Sequence, residues 1–353
     1  MNRGPASRTV SARPLPSASP LQVVESRRAR AGGVPATRYL LRRDHAYTGD
    51  QDLDRAFSTF GAVVIPPIDG RADAPVVTLL NGITKGLDRS VPAGRALARA
   101  GIGAVLIDTP LGGARRLASG HPGLELAEIA RRGVALDIPL ARRLFDGVAA
   151  DLPAVLALAA DEHGLGHDRR ALFGVSFGCL LSSLPFARDG LGDRLFGAIG
   201  HPGLPAMAQG LVDGFSRFSG LPASVVSGGL RLGPIAEAAA RRYGGESAVG
   251  ALRFARLLDA MSRGGRALDG LAPLAFAPDV SADRPAHFLA GALDPVAPPD
   301  AVRQSAAAFA TSSVEVLPGL GHGWYPGARP AGAPSFEEAC GAWLVRQLAE
   351  WVE

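Results

Sequence analysis

The chain has 353 residues, 47% of them hydrophobic and 20% charged, which suits one large or two ordinary globular domains and excludes a disordered protein. No uncharged apolar run approaches the roughly 18–20 residues that a membrane-spanning helix needs, so no span is expected. The net charge of +4 is a poor pointer to nucleic acid, because residues 1–43 hold nine arginines against one acid, Glu25, and the remainder is mildly acidic.

Residues 1–36 are rich in Pro, Ser, Ala and Arg without a period and read as a basic flexible tail. Met1–Pro20 lacks the apolar segment of a secretory signal, and Arg27-Arg28 is followed by Ala-Arg-Ala-Gly-Gly, so the expected location is cytoplasmic. Ordered structure is expected from about Thr37. Phe60–Ile65 reads as a strand stopped by Pro66-Pro67, and Pro75–Leu80 as a fully apolar strand of the kind covered on both faces. The loop Asn81–Gly86, a helix over Pro92–Arg99 and a strand over Gly103–Ile107 follow. Helical spacing returns over Ile138–Ala160, with Pro139 and Pro153 as starts or kinks. Arg170–Val175 is a strand, Gly178–Ala187 a helix and Leu195–Ile199 a strand. This rhythm predicts an α/β fold with a mostly parallel, doubly wound sheet.

The rhythm breaks over 202–278, which reads as mainly helical, with apolar periodicity in Ile235–Arg242 and Ala251–Met261. The stretch is too long for a loop and predicts an inserted helical cap. Strand Ala286–Ala290, helix Asp300–Ala310, strand Ser313–Leu317 and helix Phe336–Val352 then complete a core made of 37–201 and 279–353.

Three segments carry chemistry. Gly174-Val-Ser-Phe-Gly178 matches G-x-S-x-G between a strand and a helix, where a sharp turn leaves Ser176 exposed as a nucleophile. In a chain with 45 glycines the pentapeptide alone is a weak signal, and it needs a histidine and a carboxylate. His322 lies in the glycine-rich Pro318-Gly-Leu-Gly-His-Gly-Trp324 loop after a strand, and reads either as the base or as a loop histidine without a role. Asp294 follows the preceding strand in Gly291-Ala-Leu-Asp-Pro295; helix capping, the alternative for such an aspartate, suits Asp300 better. Each candidate ends a strand, where open parallel sheets place their sites.

The order Ser176…Asp294…His322, with an elbow serine, resembles the α/β-hydrolase family from Phe60 to the C-terminus. Leu268–Pro278, Gly-Ala-Leu-Asp-Pro and Gly-Leu-Gly-His-Gly are similar to its esterase and dienelactone-hydrolase-like members. The resemblance implies a serine hydrolase that cleaves a carboxylic ester of a small molecule through an acyl-enzyme, with no cofactor and no metal. Thioesters, lactones and amides are alternatives with the same apparatus, and a non-catalytic binding module is the alternative outside catalysis. The oxyanion hole implied by the family uses the backbone N–H of Phe177 and one from the loop after Pro75–Leu80. Many members have His-Gly there, whereas this chain has Asn81-Gly82, which points to Ile83 or Gly82 as donor.

Asn81, Lys85 and His201 are the candidates for substrate contact. Lys85 is the one lysine beside 36 arginines; it reads as a contact to a substrate carboxylate or carbonyl, or as a solvated residue. His201 ends a strand at the predicted active edge; His121 has no partner at ligand spacing and reads as a turn residue. Leu204, Met207, Leu211, Phe215 and Phe218 line a substrate pocket or form the core of the cap itself. Cys179 is expected to pack as a small apolar residue, and two cysteines argue against a disulfide framework. No Walker motif or aromatic stacking pattern supports nucleotide or nucleic-acid binding, and a homo-oligomer is left open.

Overall fold

A computed structural model describes residues 19–83, 85–117, 122–219, 234–323, 332 and 334–352. Its centre is a nine-stranded sheet with the order β1-β2-β3-β5-β4-β6-β7-β8-β9. The strands are β1 (Gln22–Ala31), β2 (Val34–Arg42), β3 (Thr59–Ile65), β4 (Ala74–Leu80), β5 (Gly103–Ile107), β6 (Leu165–Val175), β7 (Arg194–Ala198), β8 (Ala286–Gly291) and β9 (Ser312–Leu317). β1, β2, β3 and β5 pair antiparallel in succession, and every pair from β5 through β9 is parallel.

The first hairpin corrects the flexible-tail boundary at residue 36. Residues 22–31 form β1, joined to β2 by Gly32-Gly33, both at positive φ (+55° and +87°). A two-residue turn of this handedness matches the twist of the flanking strands, and glycine reaches it without a Cβ clash. The side chains of β1 are almost all exposed, so its arginines line an open sheet edge, where charge discourages pairing with another chain. Residues 1–18 lie outside the described residues.

Helices cover both faces. On one lie α2 (Val91–Arg99) and α9 (Phe336–Gln347), whose Trp343 packs against Phe173 and Phe196. On the other lie α4 (Ile138–His163), α5 (Phe177–Arg188) and α8 (Pro299–Ala306). β4 has every residue buried, as the continuous apolar run required. α4 starts where Asp137 accepts a hydrogen bond from the Leu140 N–H and Pro139 occupies the first turn, ends at Gly164 in the left-handed region (φ +63°), and runs unbroken through Pro153.

Two helices were not predicted. α1 (Gln51–Ser58) is capped by the Asp50 side chain, and α3 (Pro122–Arg131) follows β5. Between β7 and β8 run α6 (Leu204–Ser219) and α7 (Pro234–Ser262), the latter broken at Gly245 (φ +66°), followed by three short 3₁₀ turns. α7 packs along both α3 and α6, so α3 belongs to the same helical layer although it lies outside 202–278. The helix expected to start at Asp300 begins at Pro299, where proline fits the first turn.

Candidate active site

Ser176 sits between β6 and α5 with φ +53° and ψ −117°, a strained conformation for a residue bearing a Cβ. The turn is possible because its neighbours lack side chains. A Cβ on Gly174 would lie 2.2 Å from the Gly178 carbonyl oxygen, and one on Gly178 would lie 2.2 Å from the Leu80 carbonyl oxygen. The strained residue is held by its N–H donating to the Ala198 carbonyl (2.9 Å) and its carbonyl accepting from the Cys179 N–H (2.9 Å). Cys179 is fully buried, and burial pushes its thiol up to about 12, which keeps it protonated and inert.

β6 and β9 are three strands apart, about 14 Å at the usual spacing, so His322 must be carried back across the sheet. The loop after β9 does this by lying on β8. The Leu293 N–H donates to the Leu320 carbonyl (2.8 Å), and a Cβ on Gly291 would lie 2.6 Å from the same oxygen. Leu320 is fully buried, and Gly323 (φ +79°) passes over Ile199 at the end of β7. The imidazole arrives with Nε2 2.8 Å from the Ser176 Oγ.

Asp294 lies behind it, with Oδ1 and Oδ2 at 3.1 and 3.0 Å from the His322 Nδ1. Oδ1 also accepts from the N–H groups of Val296 (2.8 Å) and Ala297 (3.0 Å), which fixes the carboxylate before the helix begins. An ionised carboxylate only accepts, so the imidazole proton resides on Nδ1 and Nε2 faces the serine with a lone pair.

The loop after β4 faces Ser176 from the other side. Gly82 approaches so closely that its Cβ position would lie 3.5 Å from the Ser176 Cβ. Its carbonyl accepts from the Lys85 N–H (3.2 Å) and the Thr109 Oγ1 (3.4 Å). In a trans peptide the N–H of Ile83 points opposite to that carbonyl, and Ile83 lines the same cavity as Ser176. The Phe177 N–H is the first of α5, among those that have no acceptor within a helix.

The three expected substrate contacts lie elsewhere. Asn81 is buried and its amide is consumed by its own loop, donating to the Gly86 carbonyl (2.9 Å) and accepting from the Ser90 Oγ (2.7 Å). Lys85 is exposed and is not among the residues lining the cavity. His201 is fully buried beneath α8, its Nδ1 bonded to the Ser305 Oγ (2.8 Å) and accepting from the Gly203 N–H (3.2 Å). Burial lowers it to about 4, against a smaller opposing pull from Asp294, so it is neutral. His121 and Trp324 lie outside the described residues, as do the side chains of Phe215 and Phe218.

Sequence reasoning passed over Thr109 and left Asp108, at its own strand end, as a weaker competitor for a site role. Both are buried at the end of β5. Asp108 accepts from the N–H groups of Gly61 (2.9 Å) and Ala114 (2.8 Å), and burial raises its carboxyl above the ordinary value. It thereby shapes the 108–115 loop, whose Pro110 and Leu111 enter the cavity beside Ser176. Leu204 and Leu211 line that cavity too, whereas Met207 is buried in the core. Among the described residues no cluster of three or more His, Cys, Asp or Glu could hold a metal ion, and no helix is long and apolar enough to cross a membrane.

No family model and no curated protein matches the chain. Solved structures do. Acetyl xylan esterase 1 from Thermoanaerobacterium sp. JW/SL YS485 superposes with a TM-score of 0.54 at 15% identity, over 94% of this chain and 88% of its own. A cold-adapted esterase from an Arctic intertidal metagenomic library gives 0.51 at 15% identity, over 92% and 97%. A puromycin-hydrolyzing peptidase of Mycobacterium tuberculosis gives 0.52 at 18% identity over 90% of this chain, which spans 39% of that longer protein. At such identities the likeness is one of architecture, and with the strand order and the strand–serine–helix elbow it establishes that this chain has the α/β-hydrolase fold.

Proposed function

We propose that the chain is a serine hydrolase that cleaves a carboxylic ester of a small molecule through an acyl-enzyme, with Ser176, His322 and Asp294 as its triad. The observation that carries this reading is the continuous hydrogen-bonded path from the Ser176 Oγ to the His322 Nε2 (2.8 Å) and from Nδ1 to Asp294 (3.0 Å), on a serine held in strained backbone. His322 takes the hydroxyl proton as Oγ attacks the carbonyl carbon, and the Asp294 carboxylate stabilises the resulting imidazolium. The backbone N–H groups of Phe177 and Ile83 hold the developing oxyanion, aided by the positive end of the α5 dipole. Gly82 supplies the close backbone approach and not the donor, because its own carbonyl turns the 82–83 peptide so that Ile83 faces the site. His322 returns the proton to the leaving oxygen, and water then cleaves the acyl-enzyme by the same route.

Under this reading 202–278, together with α3, caps a core formed by residues 37–201 and 279–353, and β1 with β2 extends that core outward. The test is covalent labelling with a fluorophosphonate followed by hydrolysis assays on matched ester, thioester and amide substrates. Labelling of the intact protein and its loss in Ser176→Ala are expected, with the ester turned over fastest. Equal labelling of Ser176→Ala, or none at all, refutes the mechanism.

A further inference from the structure

Beside Ser176 lies a cavity of about 90 Å³. The serine is the one polar side chain among its described lining residues; the rest are aliphatic, aromatic, methionine or proline. Leu111, Leu140 and Phe145 line it, as do Leu211, Phe254 and Met261 from α6 and α7. Ile83 and Phe177 line it with Ser176, whereas His322 and Asp294 are not among its described lining residues.

This asymmetry assigns the cavity. The tetrahedral carbon on the Ser176 Oγ bears three other groups: the oxyanion, the acyl chain and the leaving group. The oxyanion belongs at the N–H groups of Phe177 and Ile83. The leaving group must receive a proton from the His322 Nε2 and therefore lies on the histidine's side. The acyl chain takes the remaining direction, which is the side the histidine does not line.

Resting on the triad proposed above, we infer that this cavity is the acyl subsite and that it selects an uncharged aliphatic acyl group. An engineered cavity of ~150 Å³ holds one benzene, so by proportion this one encloses about four carbons. A butanoyl-sized chain fills it, and longer chains must displace side chains of α7. Apart from the nucleophile Ser176, no described lining side chain can donate a hydrogen bond to a carboxylate, so a dicarboxylic half-ester is rejected.

The test is the acyl-length profile of 4-nitrophenyl esters (acetyl, butanoyl, hexanoyl, decanoyl) with the hemisuccinate as the charged match to butanoyl. Each buried methylene is worth about fourfold, so kcat/KM rises by about 15-fold from acetyl to butanoyl. It falls again by decanoyl, and the hemisuccinate lies at least ~100-fold below butanoyl. Phe254→Ala moves the optimum to hexanoyl or longer, and Ala208→Leu moves it to acetyl. A flat profile, or a preferred hemisuccinate, overturns the inference while fluorophosphonate labelling of Ser176 leaves the hydrolase reading intact. So does a Phe254→Ala variant that changes selectivity among alcohols and not among acyl chains. Absence of labelling overturns both.

Discussion

Asp294→Asn is the substitution that most directly probes how His322 is held. The carboxylate is asymmetric in its surroundings: Oδ1 accepts from two backbone N–H groups, Val296 at 2.8 Å and Ala297 at 3.0 Å, while Oδ2 is closer to the His322 Nδ1, at 3.0 Å. An asparagine must keep its oxygen toward the two backbone donors, because the reverse orientation would set its NH₂ against both. Its NH₂ then occupies the Oδ2 position and donates to Nδ1. The imidazole responds by moving its proton to Nε2, which now faces the Ser176 Oγ as a donor and cannot take the hydroxyl proton. Loss of the correct tautomer with preserved geometry costs about 10⁴ in kcat, or roughly 5.4 kcal/mol of barrier. The assay is steady-state hydrolysis of a butanoyl ester, with the urea midpoint as a check on folding. The residual rate should rise with pH, since hydroxide replaces the missing base. A folded Asp294→Asn protein that retains a tenth of the wild-type kcat would refute the assignment of Asp294 as the orienting carboxylate.

Asn81→Ala removes both hydrogen bonds that brace the loop carrying Ile83, and should lower kcat by about 10–100-fold with KM nearly unchanged, a smaller loss than removing an oxyanion donor outright; a purely structural role would lower the urea midpoint and leave kcat intact. His201 titrates at about 4 in the folded protein, below its ordinary value of 6.5, so the unfolded chain binds the proton first. Stability therefore falls as pH drops from about 6.5 and levels off below about 4, a loss on the order of 3 kcal/mol. His201→Gln should flatten that limb in urea titrations between pH 4 and 7.5, and an unchanged limb would remove His201 as its cause. Arg115→Met leaves the Asp151 carboxylate buried without its main partner and should cost about 3–5 kcal/mol, most of it recovered in the double variant with Asp151→Leu; a double variant no more stable than the single one would show that the pair is not the source.

The parallel half of the sheet was readable because most of its strands contain a short apolar run between turn signals, and β4, buried along its whole length, is the clearest case. The elbow, Asp294 and His322 were readable for a related reason: each stands within a few residues of the end of such a run. β1 was not, because a strand with its side chains in solvent carries no hydrophobic period, and its arginines resemble those of a disordered arm. The Gly32-Gly33 turn was the signal that would have found it. α1 carried its own signal in Asp50, whose side chain caps the first turn. Asn81 and His201 were given the wrong kind of role because a polar residue at the active edge of a sheet reads as available to substrate. Each is instead buried and bonded to a partner that sequence spacing does not reveal, Ser90 for Asn81 and Ser305 for the His201 Nδ1.

Loop 108–115 shows why so much buried charge lies near an apolar cavity. Its Pro110 and Leu111 line the cavity, and Leu111 also packs in the buried cluster of Tyr47, Leu53 and Phe57. Leu111 is moreover held at φ +63°, a strained position that surrounding structure must enforce. The enforcement is polar. Asp108 grips Gly61 and Ala114, and Arg115, almost fully buried, stacks 4.4 Å over the Phe60 ring and pairs with Asp151. Burial works against the guanidinium charge, and Asp151 together with Tyr47 and Asp108 outweighs it, holding Arg115 above its ordinary value. Apolar replacements could stabilise the fold as well, but they would not fix the backbone direction that sends Leu111 into the cavity. The double variant that restores stability should therefore still alter acyl-chain preference, which separates the role of this ion pair in shaping the site from its role in folding.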